Sequence, residues 1–245
     1  MGREIEIKIP LTEEQFDKIF SVISGSEQLA GVQVESGGLK HIYKSDSYFS
    51  RYQTREESKA AGEPQVIRIR SEKLVEDGNF SESSKSSEPA QSADISKCAA
   101  NAALASAKSY FCIKRKSIEN GIELNREDET FVENPDVVRD LLLFSGYHQF
   151  FEKDKDAYGV YCKSDVLAGC SFHLELEIVN GLKYIEVEVT DETVSAGEDG
   201  GAGNGTMLSA DAVRSGLEKF MEQFGLDTAK RDSRSWMEIL RGCAK

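Results

Sequence analysis

Apolar and polar residues alternate along most of this 245-residue chain. Near the N-terminus, Ile5, Ile7 and Ile9 are separated by single charged residues. A period of two places successive side chains on opposite faces of an extended strand. The same alternation predicts further strands at residues 41–49, 65–70, 110–116, 123–132, 150–158, 158–163, 172–179 and 184–189. The chain is therefore predicted to be dominated by antiparallel β-structure.

Four segments have helical signals instead. Residues 12–22 open with a T-x-x-Q capping box, and a second helix starts at Asn134-Pro135 and stops before Gly146. Residues 209–224 form a third candidate that ends at Gly225, and residues 232–241 form a fourth. Few helices among many strands predict an α+β protein with a β-barrel or a curved sheet.

Two polar segments are predicted to be flexible insertions within one domain that covers residues 1–245. Residues 75–109 are rich in Ser and Ala, and residues 195–208 are rich in Gly. Such compositions bury too little apolar surface to offset the entropy of ordering the chain. Strand patterns continue on both sides of each segment, so neither segment is predicted to be a domain boundary.

Several strands carry two residues of the same charge at positions i and i+2, which project to one face. A solvated sheet face explains any single pair, but an ordinary surface mixes its charges, and like charges on neighbouring positions repel. Strands that are separately acidic or basic suit the interior of a barrel that binds a charged ligand. The pairs are Glu4/Glu6, Arg68/Arg70, Lys114/Lys116, Glu127/Glu129, Lys153/Lys155, Glu175/Glu177 and Glu186/Glu188.

Composition excludes several classes of function. The formal net charge is −13, which argues against nucleic acid as a general partner because phosphate binding needs a basic surface. No apolar run is long enough to span a membrane, so no membrane partner is expected. The five cysteines form no CxxC pair, and neither a disulfide framework nor a zinc site is expected. Without a signal-peptide pattern, we expect a reducing, cytoplasmic location.

The opening Glu4-Ile5-Glu6-Ile7-Lys8 is an ExExK motif and resembles the signature of the CYTH superfamily, the triphosphate tunnel metalloenzymes. Later motifs of that family are matched in the same order along the chain. These matches are Asp46-x-Tyr48-Phe49, Arg68-x-Arg70, Lys114, Arg126-Glu127-Asp128-Glu129, Lys153-x-Lys155, Glu177 with Gly181-Leu182, Glu186-x-Glu188 and Ser235-Trp236. The resemblance covers the whole chain apart from the two insertions.

The resemblance implies an eight-stranded antiparallel β-barrel tunnel with flanking helices. It also implies that Mg2+ or Mn2+ bridges carboxylates and a small-molecule triphosphate. The implied catalytic residues are Glu4, Glu6 and Lys8. The implied metal ligands are Glu4, Glu6, Glu186 and Glu188, with Glu127, Glu129, Glu175 and Glu177 ranked second. The implied phosphate-binding residues are Lys8, Arg68, Arg70, Lys114, Lys153 and Lys155, and Lys116 belongs either to this group or to the solvent.

Three activities fit the resemblance. The first is hydrolysis of inorganic triphosphate, thiamine triphosphate or a nucleoside triphosphate. The second is class IV cyclisation of ATP to cyclic AMP and diphosphate, although the His-Phe pair that precedes ExExK in those cyclases is not found before Glu4. The third is a binding module without catalysis, which the retained acidic pairs disfavour because a simple anion binder would gain affinity by losing them. A homodimer is left open.

Overall fold

The computed structural model describes residues 2–62, 66–75, 107–119, 122–190 and 209–243. The predicted insertion at 195–208 and most of the one at 75–109 lie outside these residues. Nine strands occur within the described ranges. They are β1 (Gly2–Pro10), β2 (Val32–Val34), β3 (Lys40–Ser50), β4 (Val66–Leu74), β5 (Lys108–Glu119), β6 (Ile122–Val132), β7 (His148–Ser164), β8 (Ser171–Val179) and β9 (Leu182–Thr190).

Eight of these strands close into an antiparallel barrel. The hydrogen-bonded order β7-β3-β4-β5-β6-β1-β9-β8 is completed by direct pairing of β8 with β7. Strand β2 adds to β7 beyond the part that β3 occupies. The predicted α+β fold with an eight-stranded antiparallel barrel is confirmed.

Helices flank the barrel. They are α1 (Glu13–Ile23), α2 (Arg55–Ala60), α3 (Pro135–Phe144), α4 (Ala210–Gln223) and α5 (Trp236–Cys243). The capping box predicted for α1 is present, since Thr12 Oγ1 accepts from the Gln15 amide at 3.2 Å and Gln15 Oε1 accepts from the Thr12 amide at 3.0 Å. No helix in the described part of the chain combines the length and apolar character needed to cross a membrane.

The main hydrophobic core lies outside the barrel wall, between the wall and helices α1 and α4. The outward residues of β1 and β9, such as Ile7 and Val187, are almost fully buried against Leu217 and Phe220 of α4. The ring of Phe220 stacks on Phe172 of β8 at 4.2 Å. Because these strands use their apolar faces here, their alternate polar faces are left to line the inside of the barrel.

Three boundary predictions are corrected. The two strands predicted at 150–158 and 158–163 are one strand, β7, because this long segment pairs with β3 along one part and with β8 along another. Helix α5 begins at Trp236 rather than at 232, since the amide of Asp232 bonds to the Lys8 carbonyl and Ser235 caps the helix. Strand β5 begins at Lys108, inside the predicted insertion, where Ser109 pairs with Ser71.

Candidate active site

The polar faces of the strands enclose a cavity of about 570 Å³. Among the described residues, ten glutamates and nine lysines or arginines line it. On β1, Glu4, Glu6 and Lys8 line the cavity, while the isoleucines between them pack against the helices. The cavity is close to neutral overall, so most of the net charge of −13 lies elsewhere on the protein.

One cluster is formed by three carboxylates, with the ammonium group of Lys114 3.7 Å from one of them, Glu6. Glu4, Glu6 and Glu188 each present an oxygen, and these oxygens lie within 4.8 Å of one another. Glu6 and Glu188 are directly opposite each other in the β1–β9 register. Burial and the nearby Glu188 carboxylate raise the pKa of Glu4 to about 8, and burial with Glu186 raises the pKa of Glu6 to about 7. The protein thus concentrates carboxyl groups at a point where burial opposes their ionisation.

This cluster fits a hard divalent cation. Its donors are carboxylate oxygens, the ligands that Mg2+ and Mn2+ prefer over nitrogen or sulfur. A cation placed among the three oxygens would also relieve the mutual repulsion that raises the two pKa values. Among the residues that the structure describes, Glu4, Glu6 and Glu188 offer the set of oxygen ligands that fits the metal implied by the resemblance.

A second acidic cluster has lysines inside it. Lys155 Nζ contacts Glu175 Oε2 at 2.8 Å and forms a close ion pair with Glu177, while Glu186 lies 4.0 Å away. Lys44 forms a further close pair with Glu175. Burial opposes ionisation of Glu186, but the nearby lysines outweigh it and lower the pKa of Glu186 to about 2. The ammonium groups supply the positive charge at this cluster.

The third acidic pair, Glu127 and Glu129, binds guanidinium and ammonium groups. Arg68 Nη2 lies 3.5 Å from Glu127 and 3.4 Å from Glu129, and Lys114 Nζ lies 2.6 Å from Glu127. Lys114 also approaches Glu6 at 3.7 Å. Burial opposes ionisation of Glu127, but Lys114 and Arg68 outweigh it and lower its pKa to about 2. Lys114 therefore links this pair to the carboxylate cluster on β1.

The basic residues of two strands, β4 and β7, converge on Asp46 of β3. Arg70 makes a bidentate contact with it at 2.7 and 3.1 Å, Lys153 Nζ lies 3.5 Å away, and Tyr48 donates to it at 3.1 Å. Burial opposes ionisation, but the surrounding Arg70, Arg68 and Lys153 hold the pKa of Asp46 well below its usual range. A single buried carboxylate thus holds together a group of cations that would otherwise repel one another.

The segment before α5 contacts the basic residues at another part of the cavity. Lys8 Nζ donates to the Arg234 carbonyl at 2.8 Å, and Lys116 Nζ donates to the Ser233 carbonyl at 3.3 Å. The ring of Trp236 lies under the ammonium groups of Lys8 and Lys153, at 5.5 and 5.3 Å from its centroid. Lys116 faces the cavity rather than the solvent.

Comparison with known proteins supports the same architecture. No protein-family model and no curated protein match the sequence. A Pyrococcus horikoshii protein of known structure superposes with a TM-score of 0.60 at 16% identity, covering 98% of this chain and 99% of that one. A candidate adenylate cyclase from Vibrio parahaemolyticus superposes with a TM-score of 0.54 at 15% identity, covering 97% of each chain. This chain has the CYTH-type tunnel fold. A Hippeastrum protein described as a candidate adenylyl cyclase with a dominant triphosphatase activity gives a TM-score of 0.52 at 13% identity, covering 99% and 96%.

Several residues that line this tunnel are absent from the set predicted from sequence. Lys44 shares a face of β3 with Asp46, and Glu72 shares a face of β4 with Arg70, but each differs in charge from its neighbour. A search for pairs of like charge therefore overlooks them, whereas the period of two alone would have found them. The others are Glu35, Lys40, Glu123, Tyr161 and His173.

Proposed function

We propose that this protein is a divalent-metal-dependent enzyme that hydrolyses a triphosphate-containing substrate inside the tunnel. The observation that carries the proposal is the placement of a cluster of three carboxylates beside an array of lysines and arginines in one cavity. A metal ion needs the carboxylates and a polyanion needs the cations, and a metal-bound polyanion needs both within a few ångströms of each other. The tunnel fold shared with proteins described as triphosphatases or cyclases supports the same proposal.

In this proposal Glu4, Glu6 and Glu188 hold Mg2+ or Mn2+. The bound metal would supply Lewis-acid polarisation of phosphate oxygens and a more acidic water as the nucleophile. Glu175, Glu177 and Glu186 hold the ammonium group of Lys155 in place, and Glu175 also holds that of Lys44. Glu127 and Glu129 do the same for Arg68 and Lys114.

The phosphate clamp is assigned to Lys8, Arg68, Arg70, Lys114, Lys153 and Lys155. Phosphate oxygens would replace part of the carboxylate contacts that these cations make in the substrate-free tunnel. Arg68 has a spare donor, since its buried Nε lacks a hydrogen-bond partner within the described part of the chain. Cations fixed in this way would stabilise the charge that develops on the leaving phosphate group without reorganising during the reaction.

The Vibrio and Hippeastrum proteins make cyclisation of ATP the second candidate. The same clamp would then orient the ribose 3′-hydroxyl toward the α-phosphorus, and diphosphate would leave. The two activities use the same tunnel residues but yield different products. The location is proposed to be cytoplasmic, consistent with the free, buried Cys112, Cys162 and Cys170.

The substrate assay tests these alternatives directly. The protein is incubated with inorganic triphosphate, thiamine triphosphate and ATP, each with Mg2+ or Mn2+ and each with a chelator as the control. We expect metal-dependent release of orthophosphate. Cyclic AMP and diphosphate from ATP would establish cyclisation instead. Tight binding of all three substrates without any turnover would contradict the enzyme proposal and favour a binding module.

Substrate binding is expected to weaken above pH 8. Burial, only partly offset by Asp46, lowers the pKa of Lys153 to about 8, and burial lowers that of Lys155 to a similar value. As the pH rises through 8 these lysines lose their charge, and attraction for a polyanion falls. The KM for inorganic triphosphate should therefore increase between pH 7 and pH 9.

The matched variant for this prediction is Lys153→Arg. A guanidinium stays charged across the range, so the variant should show a smaller increase in KM over the same interval. A wild-type KM that is constant up to pH 9 would contradict the assignment of the buried lysines to the clamp.

A further inference from the structure

Asn125 contacts the carboxylate cluster from the neighbouring strand β6. Its Nδ2 donates to Glu6 Oε2 at 3.0 Å, and its side chain is only 3% exposed. In the sheet it lies opposite Glu4 on one side and Lys116 on the other. Its other amide atom, Oδ1, is buried without a hydrogen-bond partner among the described residues. The neutral amide of Asn125 thus holds the carboxylate of Glu6, and its Oδ1 remains available to accept a further hydrogen bond beside the cluster.

His173 contacts the cluster from the opposite side, on β8. Its Nδ1 lies 2.8 Å from Glu188 Oε1, and because a carboxylate only accepts, Nδ1 carries the proton. The imidazole packs against Tyr161 with ring centroids 4.8 Å apart. On the neighbouring strand β7, position 159 is a glycine, and a Cβ at that position would lie only 3.4 Å from His173 Nε2. The ring is therefore held between Tyr161 and a backbone position that leaves room for it.

We propose that Asn125 and His173 are positioning residues of the metal centre, and that they make it selective for Mg2+ and Mn2+ over Ca2+. This inference rests on the proposed function, because it takes Glu4, Glu6 and Glu188 as the metal ligands. Each positioning residue fixes one carboxylate oxygen of a cluster glutamate, Asn125 on Glu6 and His173 on Glu188. Hydrogen bonds to ligating groups commonly set their orientation and contribute to metal affinity.

The selectivity follows from the coordination chemistry of the two kinds of cation. Mg2+ requires near-octahedral geometry with short metal–oxygen distances, whereas Ca2+ accepts more ligands at longer and more variable distances. Carboxylates that are held in place favour the smaller ion. Glutamates released from Asn125 or His173 would adapt to the larger ion, so the loss of either hydrogen bond should affect Mn2+ more than Ca2+.

The test measures metal binding to the full-length protein without substrate, by titration calorimetry with Mn2+ and separately with Ca2+. Asn125→Leu and His173→Leu remove the hydrogen bonds, and His173→Asn retains a donor near the position of Nδ1. The control is His41→Leu. Like His173, His41 contacts a carboxylate, Asp156 at 3.2 Å, and stacks on a tyrosine, Tyr158 at 4.3 Å, but it does not line the cavity.

We expect both leucine variants to bind Mn2+ about 10-fold more weakly or worse, with a smaller change for Ca2+. His173→Asn should recover most of the Mn2+ affinity, and His41→Leu should match the wild type. His173 is partly exposed, so its variants carry the test even if Asn125→Leu fails to fold. Unchanged Mn2+ affinity in His173→Leu, or equal losses for Mn2+ and Ca2+, would overturn this inference alone. A wild-type protein that binds no Mn2+ would instead overturn the metal centre of the proposed function.

Discussion

Glu4→Gln and Glu6→Gln are each expected to reduce metal-dependent turnover by at least about 10³-fold, because each removes a charged ligand of the proposed metal centre. Glutamine keeps the size of the side chain and one oxygen but loses the negative charge that binds a hard cation. The fold should survive, since burial and neighbouring carboxylates raise the pKa values of both residues and their charges oppose one another in the substrate-free protein. Orthophosphate release with Mg2+ and with Mn2+ measures the effect.

The matched control is Glu14→Gln on the exposed face of α1, which makes the same chemical change away from the cavity. It should leave turnover unchanged. Melting curves of all three variants in the absence of metal separate a catalytic loss from unfolding. Full activity in both Glu4→Gln and Glu6→Gln would disprove the assignment of these residues as metal ligands.

Asp46→Asn is expected to lower the free energy of unfolding by about 3–5 kcal/mol, the usual cost of removing one partner from a buried ion pair. Asp46 is 1% exposed and is the carboxylate that Arg70 and Lys153 contact. Asparagine preserves the shape but removes the carboxylate that Lys153 contacts and the closer of the two that Arg70 contacts. Urea denaturation of the metal-free protein at neutral pH measures the change.

The control for this prediction is Asp136→Asn on α3, which breaks a surface ion pair with Arg139. Exposed pairs contribute little, so the loss should stay below about 1 kcal/mol. Inorganic triphosphate should raise the melting temperature of Asp46→Asn more than that of the wild type, because its oxygens replace the missing negative charge. Equal stability of Asp46→Asn and Asp136→Asn would contradict the role given to Asp46.

Much of the fold could be predicted from the period of two in the sequence. Seven of the strands correspond to single predicted segments, because each buries one apolar face against a helix or a neighbouring element and turns its polar face inward. Strand β7 was divided in error, since local alternation does not reveal that one long strand serves two neighbours in succession. Strand β2 was missed because it has only three residues and is positioned by its pairing with β7.

The charged residues that face the tunnel were also mostly predictable. Alternation assigns Glu4, Arg68 and Lys114 to the inward face without any knowledge of which strands are neighbours. A search for pairs of like charge overlooks Lys44 and Glu72, because the inward faces of their strands carry both positive and negative residues. Nothing in the local pattern predicts that His173 lies at the carboxylate cluster, because its partner Glu188 belongs to another strand.

The sequence by itself thus determined the composition of the tunnel, since side-chain direction along a strand depends only on the local backbone. The tertiary structure alone decided which carboxylates meet one another and which meet a lysine. Glu188 joins Glu4 and Glu6, whereas Glu186, two residues away on the same face, lies near Lys155. That division arises from strand register and barrel closure, which set distances between residues far apart in the chain and leave no mark on local periodicity.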